Sequence, residues 1–358
     1  MMKQDISFAR RASPYKISAI LPALWLCLGL GLMADAQAAQ RWKLHSAYSQ
    51  NMPVVGMTAH DIAEGVATFG NGNLKIKAFE PGALVSGASY YDAVSKGAVT
   101  AAFGNSAYSV GKNSAFTFFA AVPFGPGNGE YLAWMLHGGG QELAQELYAK
   151  DNIKYMMCGI VPPESSGWFA KEIKTVKDLK GLKMRFLGLG ARVMEKMGVS
   201  TQLLAGGDIY PAMELGALDA TEFSMPVTDR ALGFYQVAKH NYFPGWHQQS
   251  TIQELLINMD KWKALDPVNQ RLLETLCLAQ TTEMIAEGEA LQFKAMRENE
   301  KNGVTNHRWP PEILDAFETA WQEVIAEEIK SNPDSKRVWE SYSTFRENYS
   351  IWRDYGYL

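Results

Sequence analysis

The chain has 358 residues, 47% hydrophobic, 20% charged and 11% aromatic, with 34 basic and 38 acidic side chains and a formal charge of −4. That balance excludes a disordered chain, which combines low hydrophobicity with high net charge. The 31 glycines and 15 prolines exclude a collagen-like or low-complexity one, and the excess of acids leaves no basic footprint for nucleic acid.

The first forty residues read as an export signal. Lys3, Arg10, Arg11 and Lys16 precede an uncharged apolar run, Ile17 to Met33. Ala34-Asp35-Ala36-Gln37-Ala38-Ala39 then places small residues at the −3 and −1 positions of a cut after Ala38. Residues 1–38 are therefore expected to be a cleavable signal peptide, and the mature protein periplasmic. The alternative is an uncleaved anchor, for which a run of about 17 residues is short. Leu26 before Cys27 speaks against a lipoprotein. Removing four of the 34 basic and two of the 38 acidic residues leaves 30 against 36, a net charge of −6. Cys158 and Cys277 remain, too few for a disulfide scaffold. No later apolar stretch reaches membrane length.

The early mature chain alternates strand and helix patterns. Trp42 to Ala47 and Leu74 to Ala78 alternate apolar and polar, and Met57 to Phe69 has Ile62, Val66 and Phe69 on one helical face. Ala98 to Phe103 is a short strand candidate, Pro123 to Gly129 a loop, and helices are predicted up to His137 and over Gln141 to Lys150. Ile153 to Val161 reads as a buried strand stopped by Pro162-Pro163. A short helix from Thr175 to Leu179, a strand over Gly181 to Phe186, helices over Ala191 to Met197 and Asp208 to Leu215, and a strand at Ala220 to Phe223 follow. The alternation argues for parallel sheets in an α/β fold of two lobes.

From Asp266 the pattern turns helical. Asp266-Pro267 is a cap followed by proline at the first turn, and helical spacing continues to Lys301 with one interior glycine, Gly288. A helix of that length, residues 266–302, is expected to bridge both lobes. Two C-terminal helices fill residues 310–358. The last carries Trp339, Tyr342, Phe345, Tyr349 and Trp352 at spacings of three and four, a stripe for packing on the body or on a second copy. The expected organisation is a first lobe over 39–160 with parts of 251–300, and a second over 161–250.

Several enzyme signals fail on inspection. His137-Gly138-Gly139-Gly140 matches an oxyanion loop, but no G-x-S-x-G elbow accompanies it. Gly188-Leu189-Gly190-Ala191-Arg192-Val193 resembles a dinucleotide fingerprint, with valine in place of its third glycine. The six histidines show no metal-ligand spacing.

Two features carry chemistry. Arg185 sits at the end of an apolar strand, and a buried guanidinium needs an anion. Its planar fork suits a ligand carboxylate, and an internal Asp or Glu would serve equally. Glu164 and Glu222 each follow a strand end, where ligands gather in parallel α/β sheets. Brought together they would repel unless a cation lay between them, whereas apart they are two solvated acids.

The chain resembles the extracytoplasmic solute-binding proteins of TRAP transporters, the DctP-like family, and within it the branch that binds 2-oxo acids such as pyruvate. The likeness runs through Trp42 to Tyr48, Pro123-Phe124-Gly125, Gly167-Trp168-Phe169, Asp178 to Arg185, Gly207 to Ala212, Gly216 to Glu222 and Tyr242 to Trp246. The resemblance implies a two-lobe periplasmic-binding-protein fold, ligand capture without catalysis, delivery to membrane transporter subunits, and, as in some relatives, a homodimer through the last helices. It implies that Arg185 binds the ligand carboxylate, and that Glu164, Glu222 and the Phe223 carbonyl hold a sodium or calcium ion that bridges ligand and protein. Tyr108 matches the pocket aromatic of the first lobe, with Phe186 and Trp246 as further walls. The branch usually has glutamine at the position of Glu164, and two anionic donors favour a divalent ion. The competing ligands are a hydroxy acid, an aromatic acid or a dicarboxylate. The competing class is an exported enzyme acting on a carboxylic acid.

Overall fold

The computed structural model describes residues 39–357. The signal-peptide expectation and Cys27 lie outside the described residues. Eleven strands in chain order form two mixed sheets. They are β1 (Gln40–Ser46), β2 (Leu74–Phe79), β3 (Ala101–Gly104), β4 (Ile153–Val161), β5 (Gly167–Phe169), β6 (Lys183–Arg185), β7 (Ser200–Gln202), β8 (Ala220–Thr221), β9 (His240–Phe243), β10 (Thr251–Asn258) and β11 (Thr305–Arg308).

The first sheet runs β2-β1-β3-β10-β4 and the second β11-β9-β5-β8-β6-β7. The neighbours of β1 are parallel to it, but β10 pairs antiparallel with both β3 and β4. In the second sheet β5 is likewise antiparallel to β8 and β9. The expected purely parallel sheets are therefore corrected to mixed ones. The reason is connectivity: the chain leaves the first sheet after β4 and returns through β10, running the opposite way. Every residue of β10 is buried, which is why it carries no apolar–polar alternation.

The helix Pro267–Lys301 has 35 residues, about 50 Å at 1.5 Å per residue. Its start is capped by Asp266, whose carboxylate accepts from the Asn269 N–H at 3.1 Å. Leu273, Cys277, Thr281, Met284, Gly288, Ala295 and Asn299 form its buried stripe. It packs on β4, on the helix Thr58–Phe69 and on the helix Pro226–Ala231, touching elements of both sheets. Gly288 is glycine because a Cβ there would meet the Pro162 ring at 2.5 Å, where the crossover from β4 lies against the helix. Cys158 of β4 and Cys277 of this helix form a disulfide across 119 residues. Among the described residues no helix is long and apolar enough to cross a membrane.

The helix Pro311–Ser331 packs on Gly188–Lys196, beside the second sheet, and Pro333–Gly356 packs on Asn128–His137 and Gly140–Ala149, beside the first. The aromatic stripe of the last helix divides. Trp339 and Tyr342 pack on Trp321, Phe118 and Trp134, whereas Trp352 is exposed.

Candidate functional site

Arg185 ends β6, and its side chain is 1% exposed. Nη1 donates to Glu222 Oε2 and to the Glu222 backbone oxygen, each at 2.7 Å, and Nε donates to the Leu204 carbonyl at 3.1 Å. The guanidinium lies 5.1 Å from the Phe223 ring centre. The internal anion left open by the sequence therefore exists and is Glu222. Nη2 has no hydrogen-bond partner among the described residues, and Arg185 lines a small cavity of about 30 Å³.

Both sheets build that cavity. Tyr48, Asn105, Tyr108 and Gln253 come from the side of the first, Leu187 and Phe223 from the second, and Glu164 and Gln248 from the crossovers between them. Glu164 follows β4, where its backbone oxygen accepts from the Gly245 N–H at 3.1 Å and its Oε1 from the Thr251 hydroxyl at 3.2 Å. The Tyr48 hydroxyl donates to Gln253 Oε1 at 2.7 Å.

Glu164, Glu222 and His247 bring one ligand atom each to within 4.8 Å of one another, and all three are buried. The end of the Gln248 side chain lies 2.9 Å from Glu164 Oε2, 2.7 Å from Glu222 Oε1 and 2.9 Å from His247 Nε2, while its other end meets the Thr251 hydroxyl at 3.0 Å. Amide orientation follows from the surrounding network. Turned one way, the Gln248 NH₂ donates to both carboxylates. Turned the other way, its oxygen joins acceptors that a proton on Glu164 or His247, or a cation between them, can reconcile. Carboxylate and amide oxygens are the donors that hard cations such as calcium prefer, so these residues fit a bridging ion.

The electrostatics support that reading. Burial drives the Glu164 carboxyl well above the usual carboxylate range, and the charges of Glu222 and Asp229 push it further. Burial also acts on Glu222, but Arg185, His247 and the Leu187 N–H outweigh it and hold that carboxyl low. Asp229, buried behind the site, is raised by burial to about 7 against the hydrogen bonds of Trp168 and Ser165. Arg185 is thus committed to Glu222, while burial leaves Glu164 and Asp229 holding protons that a cation at Glu164 would displace.

The structure brings Arg185, Tyr108, Glu164, Glu222 and Phe223 to one cavity. It does not bring Phe186 or Trp246 there. Successive strand residues face opposite sides, so with Arg185 turned to the cavity Phe186 points to the other side of the strand. There its ring lies 4.8 Å from His247 and 6.0 Å from Trp246, and Trp246 is stacked on Phe317 at 4.5 Å. Neither residue lines the cavity that holds Arg185. Gln248, His247, Tyr48, Thr251 and Gln253 were not read from the sequence. The cluster Trp246-His247-Gln248-Gln249, polar residues between two buried strands, is the signal that could have marked the first two.

Residues 45–332 match the model of the bacterial extracellular solute-binding protein family 7, DctP. The chain belongs to this family. The monocarboxylate 2-oxoacid-binding periplasmic protein of Nostoc sp. is 34% identical over 312 residues, 87% of this chain and 85% of that protein. A TRAP transporter solute-binding protein from Bordetella bronchiseptica, a mixed-occupancy dimer with copurified calcium and picolinate, superposes with a TM-score of 0.86 at 36% identity, over 88% of this chain and 94% of that one. A TRAP solute-binding protein from Pseudoalteromonas atlantica with bound sodium and pyruvate does so with a TM-score of 0.84 at 29% identity, over 88% and 96%. The DctP fold, with its long helix and two sheets, is the fold found here. The protein is a solute receptor of the extracytoplasmic class.

Proposed function

We propose that this DctP-family protein captures a small 2-oxo acid such as pyruvate in the periplasm and passes it to the membrane subunits of a TRAP transporter. The observation that carries the reading is the convergence of Glu164, Glu222 and Gln248 beside Arg185 in one buried cavity. Arg185 offers Nη2 to the ligand carboxylate. Glu164, Glu222 and Gln248, with the Phe223 carbonyl that the family likeness implies, would hold a calcium or sodium ion. When bound, that ion supplies positive charge to the carboxylate and keto oxygens of the ligand. The relatives with calcium or sodium beside picolinate or pyruvate support this.

A cavity of about 30 Å³ has room for about two waters. Ligand entry therefore needs the lobes to part and to close again around it. Residues 1–38 serve as the export signal, and the lobes divide near residues 160 and 250. Ligand is bound and released unchanged. Both described cysteines are tied in the disulfide, which supports binding over thiol chemistry.

Calorimetry with pyruvate on protein stripped of divalent ions, with calcium or sodium added back, tests the reading. Binding that requires an added ion is expected. Binding of pyruvate with no ion present, tighter binding of a dicarboxylate or sugar acid, or turnover of any ligand would reject it.

A further inference from the structure

Leu187 lines the cavity that holds Arg185, but its neighbours Phe186 and Gly188 line a second hollow of about 290 Å³. Its walls come from both sides of the cleft: Thr117 from the segment Ser114–Phe119 beside the first sheet, and Leu189, Arg192 and Gln202 from the second. Nothing in the proposed function uses it.

One end of this hollow is built for an anion. The nine-residue helix Gly188–Lys196 starts there, and its cap residue, Leu187, has no side-chain acceptor to offer. The N–H groups of Gly188, Leu189 and Gly190 find no partner among the described residues. Such a helix start is the positive end of the dipole. Gly188 keeps it bare: its φ of +63° favours glycine, and a Cβ would lie 3.2 Å from Thr117 Oγ1.

The Thr117 hydroxyl is the second, independent observation. Thr117 is 3% exposed, its Oγ1 has no hydrogen-bond partner, and it faces the bare helix start across the cleft. A buried hydroxyl without a partner is costly, and an anion on the helix start would accept from it. Arg192, one turn further on, is paired with Glu328, the one acid in the wall, so the two leave no net charge there; Glu328 also accepts from the Ser335 hydroxyl. Beside the polar Ser114, Thr201 and Gln202, the walls Val110, Phe186, Leu189 and Leu203 form an apolar stretch that suits a hydrocarbon chain better than a bare inorganic ion.

We propose that this hollow is a second ligand site, which binds a small carboxylate bearing an apolar chain. The carboxylate sits between the start of Gly188–Lys196 and Thr117 Oγ1, and the chain lies along Phe186 and Leu189. Because Thr117 and the helix belong to opposite sides of the cleft, an acid bound there favours the closed form. It therefore strengthens ligand binding at Arg185, and by reciprocity the cleft ligand strengthens it. This site stands apart from the proposed function and does not depend on it.

The test is calorimetry with isovalerate, first on the protein alone and then with the cleft saturated by pyruvate and calcium. One isovalerate per chain is expected in both conditions, tighter in the second. Thr117→Val should weaken it about tenfold or more by removing a hydrogen bond to a charged group. Ala191→Trp should fill the hollow and abolish it, with pyruvate binding intact in both variants as the measure of folding. Inorganic phosphate should bind at least tenfold more weakly than isovalerate. The proposal is overturned if no saturable isovalerate binding occurs, if saturating pyruvate displaces it, if neither substitution alters it, or if phosphate binds as tightly. Failure of pyruvate to bind would reject the proposed function alone, since the measurements on protein without pyruvate still decide this site.

Discussion

Nη1 of Arg185 donates at 2.7 Å both to the Glu222 carboxylate and to the Glu222 backbone oxygen, so one residue holds the guanidinium by two different groups. The strand pairing of Arg185 with Thr221 sets this up, because it places the following residue beside the guanidinium. Glu222 then has two tasks: it fixes Arg185, and its other oxygen, Oε1, faces Gln248 and the proposed ion.

The first prediction concerns that pair. Arg185→Met leaves the ligand carboxylate without its donor and strands Glu222 as a buried, uncompensated acid. Breaking a buried pair from one side costs about 3–5 kcal/mol, so thermal stability should fall as well. Pyruvate affinity is expected to drop at least about 100-fold, the scale of a lost charge-assisted bond with an unpaired group left behind. Calorimetry on the folded variant checks this, and affinity within threefold of the parent protein would remove Arg185 from the ligand.

A second prediction follows from Glu164. Its carboxyl is raised by burial and by Glu222 and Asp229, so ion binding must displace its proton. Calcium affinity should therefore rise with pH until the Glu164 carboxyl is ionised. Glu164→Gln removes both the charge and that proton. Calcium binding is expected to weaken at least about tenfold and to lose most of its pH dependence, while sodium binding changes little. Titrations of stripped protein with each ion at pH 6 and pH 8 decide it. An unchanged calcium affinity in the variant would take Glu164 out of the ion site.

A third prediction concerns the bond between Cys158 and Cys277, which ties β4 to the long helix across 119 residues. Closing so long a loop restricts the unfolded chain, and losing it costs about 2–5 kcal/mol. The double variant Cys158→Ala with Cys277→Ala should melt lower than the oxidised protein and no longer respond to reductant. Pyruvate affinity should stay within twofold, because neither cysteine lines the cavity. Equal melting temperatures would show that the bond adds nothing to stability.

Much of this site was legible in the sequence because charge in apolar surroundings demands a partner. Arg185 in Leu182 to Phe186 could be singled out on that ground, and the acid after Asp219-Ala220-Thr221 by its place at a strand end. That Phe186 and Trp246 lie outside the Arg185 cavity was not legible, because apolar character does not say which side of a strand faces a cleft; only the register of β6 does. Gln248 was missed because an amide carries no charge to account for, and its role depends on two carboxylates distant in sequence. The interior strand β10 was missed for a related reason. With both faces covered it shows no alternation, and its polar residues Gln253 and Glu254 break the apolar run.

Glu254 gives the fourth prediction. It lies in β10 with no exposure, its carboxylate accepting from the Tyr90 hydroxyl at 2.9 Å and the Tyr148 hydroxyl at 2.5 Å. Burial raises it from 4.5 to about 7 despite those two donors. A raised acid binds its proton more tightly in the folded state. Its stabilising effect is therefore complete below about pH 4.5 and is lost as pH rises through about 7. Between pH 5 and pH 8 that loss amounts to about 2–3 kcal/mol for a shift of this size. Glu254→Gln carries no proton to lose, so the difference in stability between parent and variant should move by that amount over the same range. Urea denaturation at pH 5, 6, 7 and 8 measures it. A difference that stays constant with pH would show that Glu254 is already ionised at pH 5 in the folded protein.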